Sequence, residues 1–347
     1  MKFVDTLLFA EPHEADLLWV KLNVEEDLFE EWVVVEGSHT HQGEHKGFHL
    51  NQLLATDHRF DRFRTRIHVI ELDMTPRIAD PDRKVFDDEA LTVERTQRDA
   101  AVPYLVEHYE DDDHVLISDV DECLDAASPS RRRLLRAKAE HSDGVVLVPR
   151  IRYWFDYDNR WLARRCVPLV TIGQLKIDPG LEAYRERSLN TPIVWRHEMV
   201  FEYSFCFPRE HIMRKFDTFI HTGFEPEEVD EALRYNHRPT SRHRARLLRW
   251  TADDWFVKRR LTPRNSPAFV RRHLDELRTG VVDPAYRRNR RQAFPEYFPR
   301  RHTARIVKWL DLYARLYLDV LARNPHTEQW TRRARAVGRR ARRLGRR

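Results

Sequence analysis

Short apolar runs alternate with longer stretches of mixed polarity through the first 150 residues. Residues 3–9 (FVDTLLF), 32–36 (WVVVE), 66–71 (RIHVIE), 114–118 (HVLIS) and 144–150 (GVVLVPR) are rich in β-branched side chains and bounded by polar segments, as buried strands are. Between them, residues 14–30 read as a helix whose apolar positions, Leu17, Leu18, Val20, Leu22 and Val24, are only partly periodic. Residues 91–109 read as a second helix, with Val93, Thr96, Ala100 and Tyr104 along one side. Ser128 before Pro129 is an N-cap with proline at the first helical position, starting a basic helix to about residue 141. Residues 37–47 form a polar loop with glycine at both ends, and residues 73–90 an exposed, Pro-containing connection. Alternating strands and helices predict an α/β fold with a mostly parallel central sheet.

The pattern loosens afterwards. Residues 151–207 are dense in Trp, Tyr and Phe and suit an antiparallel or mixed segment that shapes a cleft. Residues 240–301 are Arg-rich and interrupted by prolines. Residues 303–323 predict an amphipathic helix, with Ile306, Leu310, Tyr313, Tyr317, Val320 and Leu321 on one face. Its other face mixes both signs of charge, which suits packing against the folded body.

Composition adds three constraints. A hydrophobic content of 41% fits a folded chain. The net charge of +5 hides an asymmetry, because residues 331–347 hold nine arginines and no acid, leaving the remainder at −4. Such a tail suits anionic lipid, nucleic acid or an acidic partner, although no nucleic-acid recognition motif accompanies it. The three cysteines, Cys123, Cys166 and Cys206, match no zinc spacing and close no even disulfide set. With no long apolar span and no cleavage pattern at the start, the expectation is a cytoplasmic protein, with the tail peripheral to the inner face of the membrane.

The candidate chemistry lies at Asp119-Val120-Asp121, where an apolar strand runs straight into two carboxylates one residue apart. In parallel α/β sheets, ligands bind beyond the carboxyl ends of strands. Hard carboxylate oxygens there suit Mn²⁺ or Mg²⁺ bridging a diphosphate. Glu122 follows as a residue that supports the metal ligands from behind or accepts hydrogen bonds from sugar hydroxyls. Three readings stay open on these residues alone: sugar transfer from a nucleotide donor, a haloacid-dehalogenase-like phosphatase with Asp119 as nucleophile, and a purely structural acidic turn. A nucleic-acid-binding protein using the Arg-rich C-terminus is a fourth.

The order of several motifs resembles glycosyltransferase family 17. Asp5-Thr6-Leu7-Leu8-Phe9 with Glu11, then Asp16-Leu17-Leu18 and Lys21-Leu22, is similar to that family's start. Trp32 to Glu36 with Ser38, Thr40, Gly43 and Lys46, then Glu94-Arg95 and Gln97-Arg98, and finally Ser118-Asp119-Val120-Asp121-Glu122, follow in the family's order. The resemblance spans about residues 3–225. It implies a GT-A type nucleotide-sugar-binding fold with a C-terminal helical extension. It also implies an inverting transferase moving N-acetylglucosamine or a related hexose from a UDP-sugar to a glycan hydroxyl, with Mn²⁺ or Mg²⁺. The implied layout is a catalytic domain over 1–240 (a nucleotide-sugar half to 125, an acceptor half from 126), a helical extension over 241–330 and a basic tail over 331–347.

By the same resemblance, Asp119 and Asp121 hold metal and diphosphate, and Glu36, Ser38 and Lys46 lie near the nucleotide. Arg98 faces the donor, and His221, in a pattern with Lys215 and Phe219, is a metal or phosphate ligand. An inverting displacement needs a general base. Glu202, standing where the family usually has His, is the first candidate, followed by Glu198 and Asp156. Trp154, Trp195 and Tyr203 are the aromatic residues expected to line the acceptor site.

Overall fold

The computed structural model describes residues 1–74, 88–190, 198–218, 226–235, 256–258, 260–279 and 281. The chain divides into two units. One comprises Met1–Phe224 with Val257–Val282, and the other Glu225–Phe256 with Asp283–Arg347. The second contributes one long described helix, Pro226–Tyr235. The helix expected over 303–323, the basic tail, and most of the 73–90 connection lie outside the described residues. Among the described residues, no helix is long and apolar enough to cross a membrane.

The first unit is built on one sheet. In chain order its strands and helices are β1 (Phe3–Leu8), α1 (Ala15–Glu25), β2 (Glu31–Gly37), α2 (Leu50–Thr56), β3 (Ile67–Leu72), α3 (Asp88–Asp99), α4 (Val102–His108), β4 (His114–Ile117), β5 (Glu122–Leu124), α5 (Pro129–Glu140), β6 (Val145–Trp154), β7 (Asn159–Thr171), α6 (Ile172–Ile177), α7 (Leu181–Asn190), β8 (Val200–Ser204) and α8 (Arg209–Thr218). The sheet order is β3-β2-β1-β4-β7-β6-β8-β5, and a ninth strand, β9 (Phe256–Lys258), pairs with β7 off this path. The first four strands are mutually parallel. Beyond β4 the sheet is mixed: β7 is antiparallel to β4 and β6, β8 parallel to β6, and β5 antiparallel to β8. The α/β class is therefore as expected, with the parallel half first and the mixed, aromatic half after it.

The parallel strands are continuous apolar runs because both of their faces are covered. Val4, Val33, Val35, Val115 and Ile117 pack with Ala101, Leu105, Ile172, Leu175, Leu181 and Tyr184 of α4, α6 and α7. On the opposite face, Asp5 and Trp32 reach α1. Helix α1 is buried nearly all round, including Lys21 and Glu25. That explains its weak periodicity, since a helix enclosed on every side needs no polar stripe. The helix expected over 91–109 is two helices, α3 and α4, broken at Ala100–Ala101 ahead of Pro103, whose ring cannot continue a helix interior. The N-cap read at Ser128 is present, its Oγ accepting from Arg131 N–H at 3.2 Å.

Candidate active site

The acidic loop, Ser118 to Asp121, joins β4 to β5 at the carboxyl end of the parallel strands. Glu122 N–H donates to Asp119 O at 3.0 Å and Asp119 N–H donates to Glu122 Oε2 at 2.9 Å, closing a tight turn. Tyr203 N–H of β8 donates to Asp121 O at 2.8 Å.

The two aspartates meet opposite surroundings. The Asp119 side chain is 33% exposed, yet each oxygen carries a guanidinium: Arg98 Nη2 at 2.8 Å on Oδ1, and Arg185 Nη2 on Oδ2. Burial pushes its pKa up, but Arg185 and Arg98 outweigh that and hold the carboxyl below the ordinary carboxylate range. Asp121 is 7% exposed and accepts no hydrogen bond on its carboxylate from the described residues. The ion pair it makes is with Lys215 Nζ of α8, at 3.9 Å. Burial drives its pKa up to about 6; Lys215 opposes that shift, while Glu202, Asp119 and Glu14 reinforce it.

Around the loop runs a chain of alternating charges. Arg98, 1% exposed, also binds Glu94 (2.8 Å), Glu182 (2.6 Å) and Ser118 O (2.9 Å). Arg185 donates to Glu122 Oε2 at 2.7 Å and to Ile117 O at 3.0 Å. Glu122 is fully buried and also pairs with Arg150. Its expected role as an acceptor for sugar hydroxyls finds both oxygens already occupied. Arg150 passes on to Glu202 at 3.0 Å, and Glu202 further binds Arg152 and accepts from Ser204 Oγ. Burial opposes ionisation of Glu202, but the two arginines prevail and lower its pKa. Asp156 pairs with Arg278 at 3.0 Å and Glu198 with Arg160 at 3.3 Å. Glu202 lies opposite Glu122 across β5 and β8, whereas Glu198 precedes β8, beyond the Leu124–Val200 pairing. Trp154 and Tyr203 are buried. Trp195 and His221 lie outside the described residues.

A cleft of about 390 Å³, including its open mouth, reaches the acidic loop through Lys215, the ion-pair partner of Asp121. Phe9, Ala10, Glu11, His13 and Glu14 after β1, Gly37, His39, Thr40, His41 and Lys46 from the end of β2 onward, Gln97, and Lys215 with Thr218 line it. Its upper wall is the 38–47 loop. Glu36, expected near the nucleotide, is fully buried and secures this loop from below, accepting from Lys46 Nζ at 3.1 Å and from the His49 and Leu50 N–H groups at 2.9 Å. Ser38 Oγ donates to Asp73 at 3.0 Å and accepts from Met74 N–H at 3.1 Å. Gln97 fixes the rim, donating to His39 O at 3.2 Å and meeting His41 Nε2 at 3.1 Å. That approach needs Gly37, because a Cβ there would lie 2.3 Å from Gln97 Nε2. Burial lowers the pKa values of His13 and His41 to about 4, so both are neutral at pH 7. From α8, Arg214 reaches Glu11 and Glu44 while Lys215 reaches Glu14 at 3.2 Å.

Arg185 and Arg150 were invisible as site residues in the sequence, being two among many arginines. Lys21 and Asp5 did carry a signal. Each is a charge inside an otherwise apolar run, and such a charge must find a partner when the run is buried.

A sheet that gathers an acidic loop, a basic counter-charge and a cleft at its carboxyl edge fits a transferase acting on an anionic donor, and comparison with known proteins names the class: the chain is a glycosyltransferase. Residues 1–157 match the model of glycosyltransferase family 17. No curated protein matches the chain. Among solved structures, a galactosyltransferase, LgtC, in complex with donor and acceptor sugar analogues matches at 11% identity, covering 65% of this chain and 84% of that one, with a TM-score of 0.26. The matched family segment includes Asp119, Asp121, Arg98 and Arg150, while Arg185, Glu202 and Lys215 lie beyond it.

Proposed function

We propose that this glycosyltransferase moves N-acetylglucosamine or a related hexose, with inversion, from a UDP-sugar bound in the cleft to a hydroxyl of a glycan acceptor. The observation that carries the reading is Asp121: a nearly buried carboxylate beside the cleft, without a hydrogen-bond donor among the described residues, facing Lys215. A buried carboxylate left in that condition is costly unless a positive group completes its surroundings. Among the described residues no three His, Cys, Asp or Glu side chains form a metal cage. Hard divalent ions that act on phosphates nevertheless use one or two carboxylates and take further ligands from the substrate. Asp121 fits that donor set, whereas Asp119 beside it would join only by exchanging one of its guanidinium partners, Arg98 or Arg185, for the ion. When bound there, Mn²⁺ or Mg²⁺ supplies charge neutralisation for the leaving diphosphate.

The chain's own residues do the rest. Lys215 contributes a fixed positive charge beside Asp121. Neutral His13 and His41 offer polar ring atoms to the cleft without adding charge. Arg98 and Arg185 hold Asp119 and the backbone of the acidic loop in place, so the site is organised before a ligand arrives. Glu202 is committed to Arg150, Arg152 and Ser204; we assign it to fixing β5 against β6 and β8 rather than to taking a proton. The phosphatase reading loses support for a similar reason, because a nucleophilic Asp119 would have to leave two guanidinium groups.

Thermal shift against UDP-, GDP-, CMP- and TDP-sugars, with and without Mn²⁺, tests the proposal, since a ligand of the folded state raises its stability. Metal-dependent stabilisation by one UDP-sugar, lost in Asp121→Ala, is the expected result. Stabilisation by another nucleotide class, or none by any, overturns the donor assignment.

A further inference from the structure

Beneath the acidic loop lies a charged cluster with no access to the cleft. Lys21 of α1 is 0% exposed, as are Asp5 and Glu25. Its ammonium nitrogen lies 2.5 Å from Asp5 Oδ2, 2.9 Å from Glu25 Oε1, 2.9 Å from Ser118 Oγ and 2.5 Å from Glu122 O. An ammonium has three hydrogens to donate, so all of them are taken. Ser118 Oγ donates onward to Asp5 Oδ1 at 2.7 Å. Glu25 accepts from Leu124 N–H at 2.8 Å and from Trp32 Nε1 at 2.9 Å. The cluster thus grips the β4–β5 connection at three points: Ser118 before the aspartates, then Glu122 and Leu124 after them.

We infer that Lys21 is a positioning residue for the transfer site: from the core it fixes the backbone on both sides of Asp119–Asp121 and so places the Asp121 carboxylate at the cleft. Stability alone does not explain the arrangement. Three ionisable side chains, Asp5 of β1 with Lys21 and Glu25 of α1, are fully buried between the sheet and the helix, and well-packed apolar residues in place of a buried ion cluster are commonly as stable or more so. What apolar residues cannot do is donate to Glu122 O and Ser118 Oγ or accept from Leu124 N–H. The inference rests on the proposed role of Asp121 but concerns a different physical quantity, the rigidity of the loop.

Two variants of the full-length chain test it: Lys21→Met, and the neutral Asp5→Asn/Lys21→Met/Glu25→Gln, which avoids stranding buried carboxylates. Hydrogen exchange at the amides of Asp119, Glu122 and Leu124 reports loop opening directly and needs no substrate. The expected result for the neutral variant is faster exchange at these amides, with β1, β2 and α7 protected as in the wild type. Turnover of whatever donor the wild type uses should fall about 100-fold, as a misplacement of about 1 Å can cause, with KM changed only a few-fold. A neutral variant that keeps wild-type exchange in the loop overturns the inference, whichever donor the enzyme takes. Faster exchange with unchanged kcat overturns it as well, since the loop's rigidity would then be irrelevant to transfer. The donor assignment is judged separately, on the wild type alone.

Discussion

Asp119 and Asp121 stand two residues apart on one loop, yet the two ends of that loop are built on different terms. At the Asp119 end every polar atom is engaged. Both carboxylate oxygens hold arginines, and the same arginines bind Ser118 O and Ile117 O. At the Asp121 end the carboxylate is more deeply buried but accepts no hydrogen bond from the described residues, with Lys215 at 3.9 Å. The first end resembles a finished piece of protein interior. The second holds a buried carboxylate with one distant counter-charge among the described residues, and that asymmetry points to where a ligand would bind. A D-x-D motif can therefore contain one acid that organises and one that waits.

The sharpest way to break this contrast is to neutralise each acid in turn. Asp119→Asn leaves Arg98 and Arg185 short of an anion, and removing one member of a buried pair costs about 3 kcal/mol, read as a lower melting temperature. Because the folded-state pKa of Asp119 is depressed, its contribution exists above the unfolded carboxyl range and fades as pH falls through it. Asp121→Asn should act in the opposite direction. The folded Asp121 retains its proton up to about pH 6, so its stabilising contribution at low pH is lost as pH rises through that value. At pH 8 the asparagine variant should be more stable than the wild type by roughly 2–3 kcal/mol, and at pH 4 nearly equal to it. Turnover in Asp121→Asn should nonetheless fall on the order of 100- to 1,000-fold. Equal melting shifts of one sign for both variants would abolish the distinction.

A smaller effect tests how far the engaged region extends. Glu202→Gln should lower stability by about 2–3 kcal/mol by removing a counter-charge shared by Arg150 and Arg152, with turnover falling only in step with folding. A variant that melts like the wild type but has lost kcat would instead restore Glu202 as the general base. The smallest effect belongs to the opposite wall of the cleft. Gly37→Ala forces Gln97 to move and releases the 38–47 loop at His39 and His41. A cost of roughly 1–2 kcal/mol is typical of overpacking, and KM for the donor should rise more than kcat falls. An unchanged KM would separate this rim from donor binding.

The sequence revealed the parallel half of the sheet, because buried parallel strands are continuous β-branched runs bounded by polar segments, and β1, β2, β3 and β4 have that form. It revealed the acidic loop, because two carboxylates directly after such a strand must emerge at the sheet's carboxyl edge. It also located the Ser128 cap, a local signal that needs no distant partner. Tertiary structure alone decided which arginines serve the site. Arg98 stands in a recognisable motif, but Arg150, Arg152 and Arg185 meet Asp119, Glu122 and Glu202 from β6 and α7, and no local pattern separates them from the many other arginines of this chain. The difference between Asp119 and Asp121 was hidden for the same reason: desolvation and ion pairing depend on what the rest of the fold brings within a few ångströms, and identical side chains two positions apart carry no record of it.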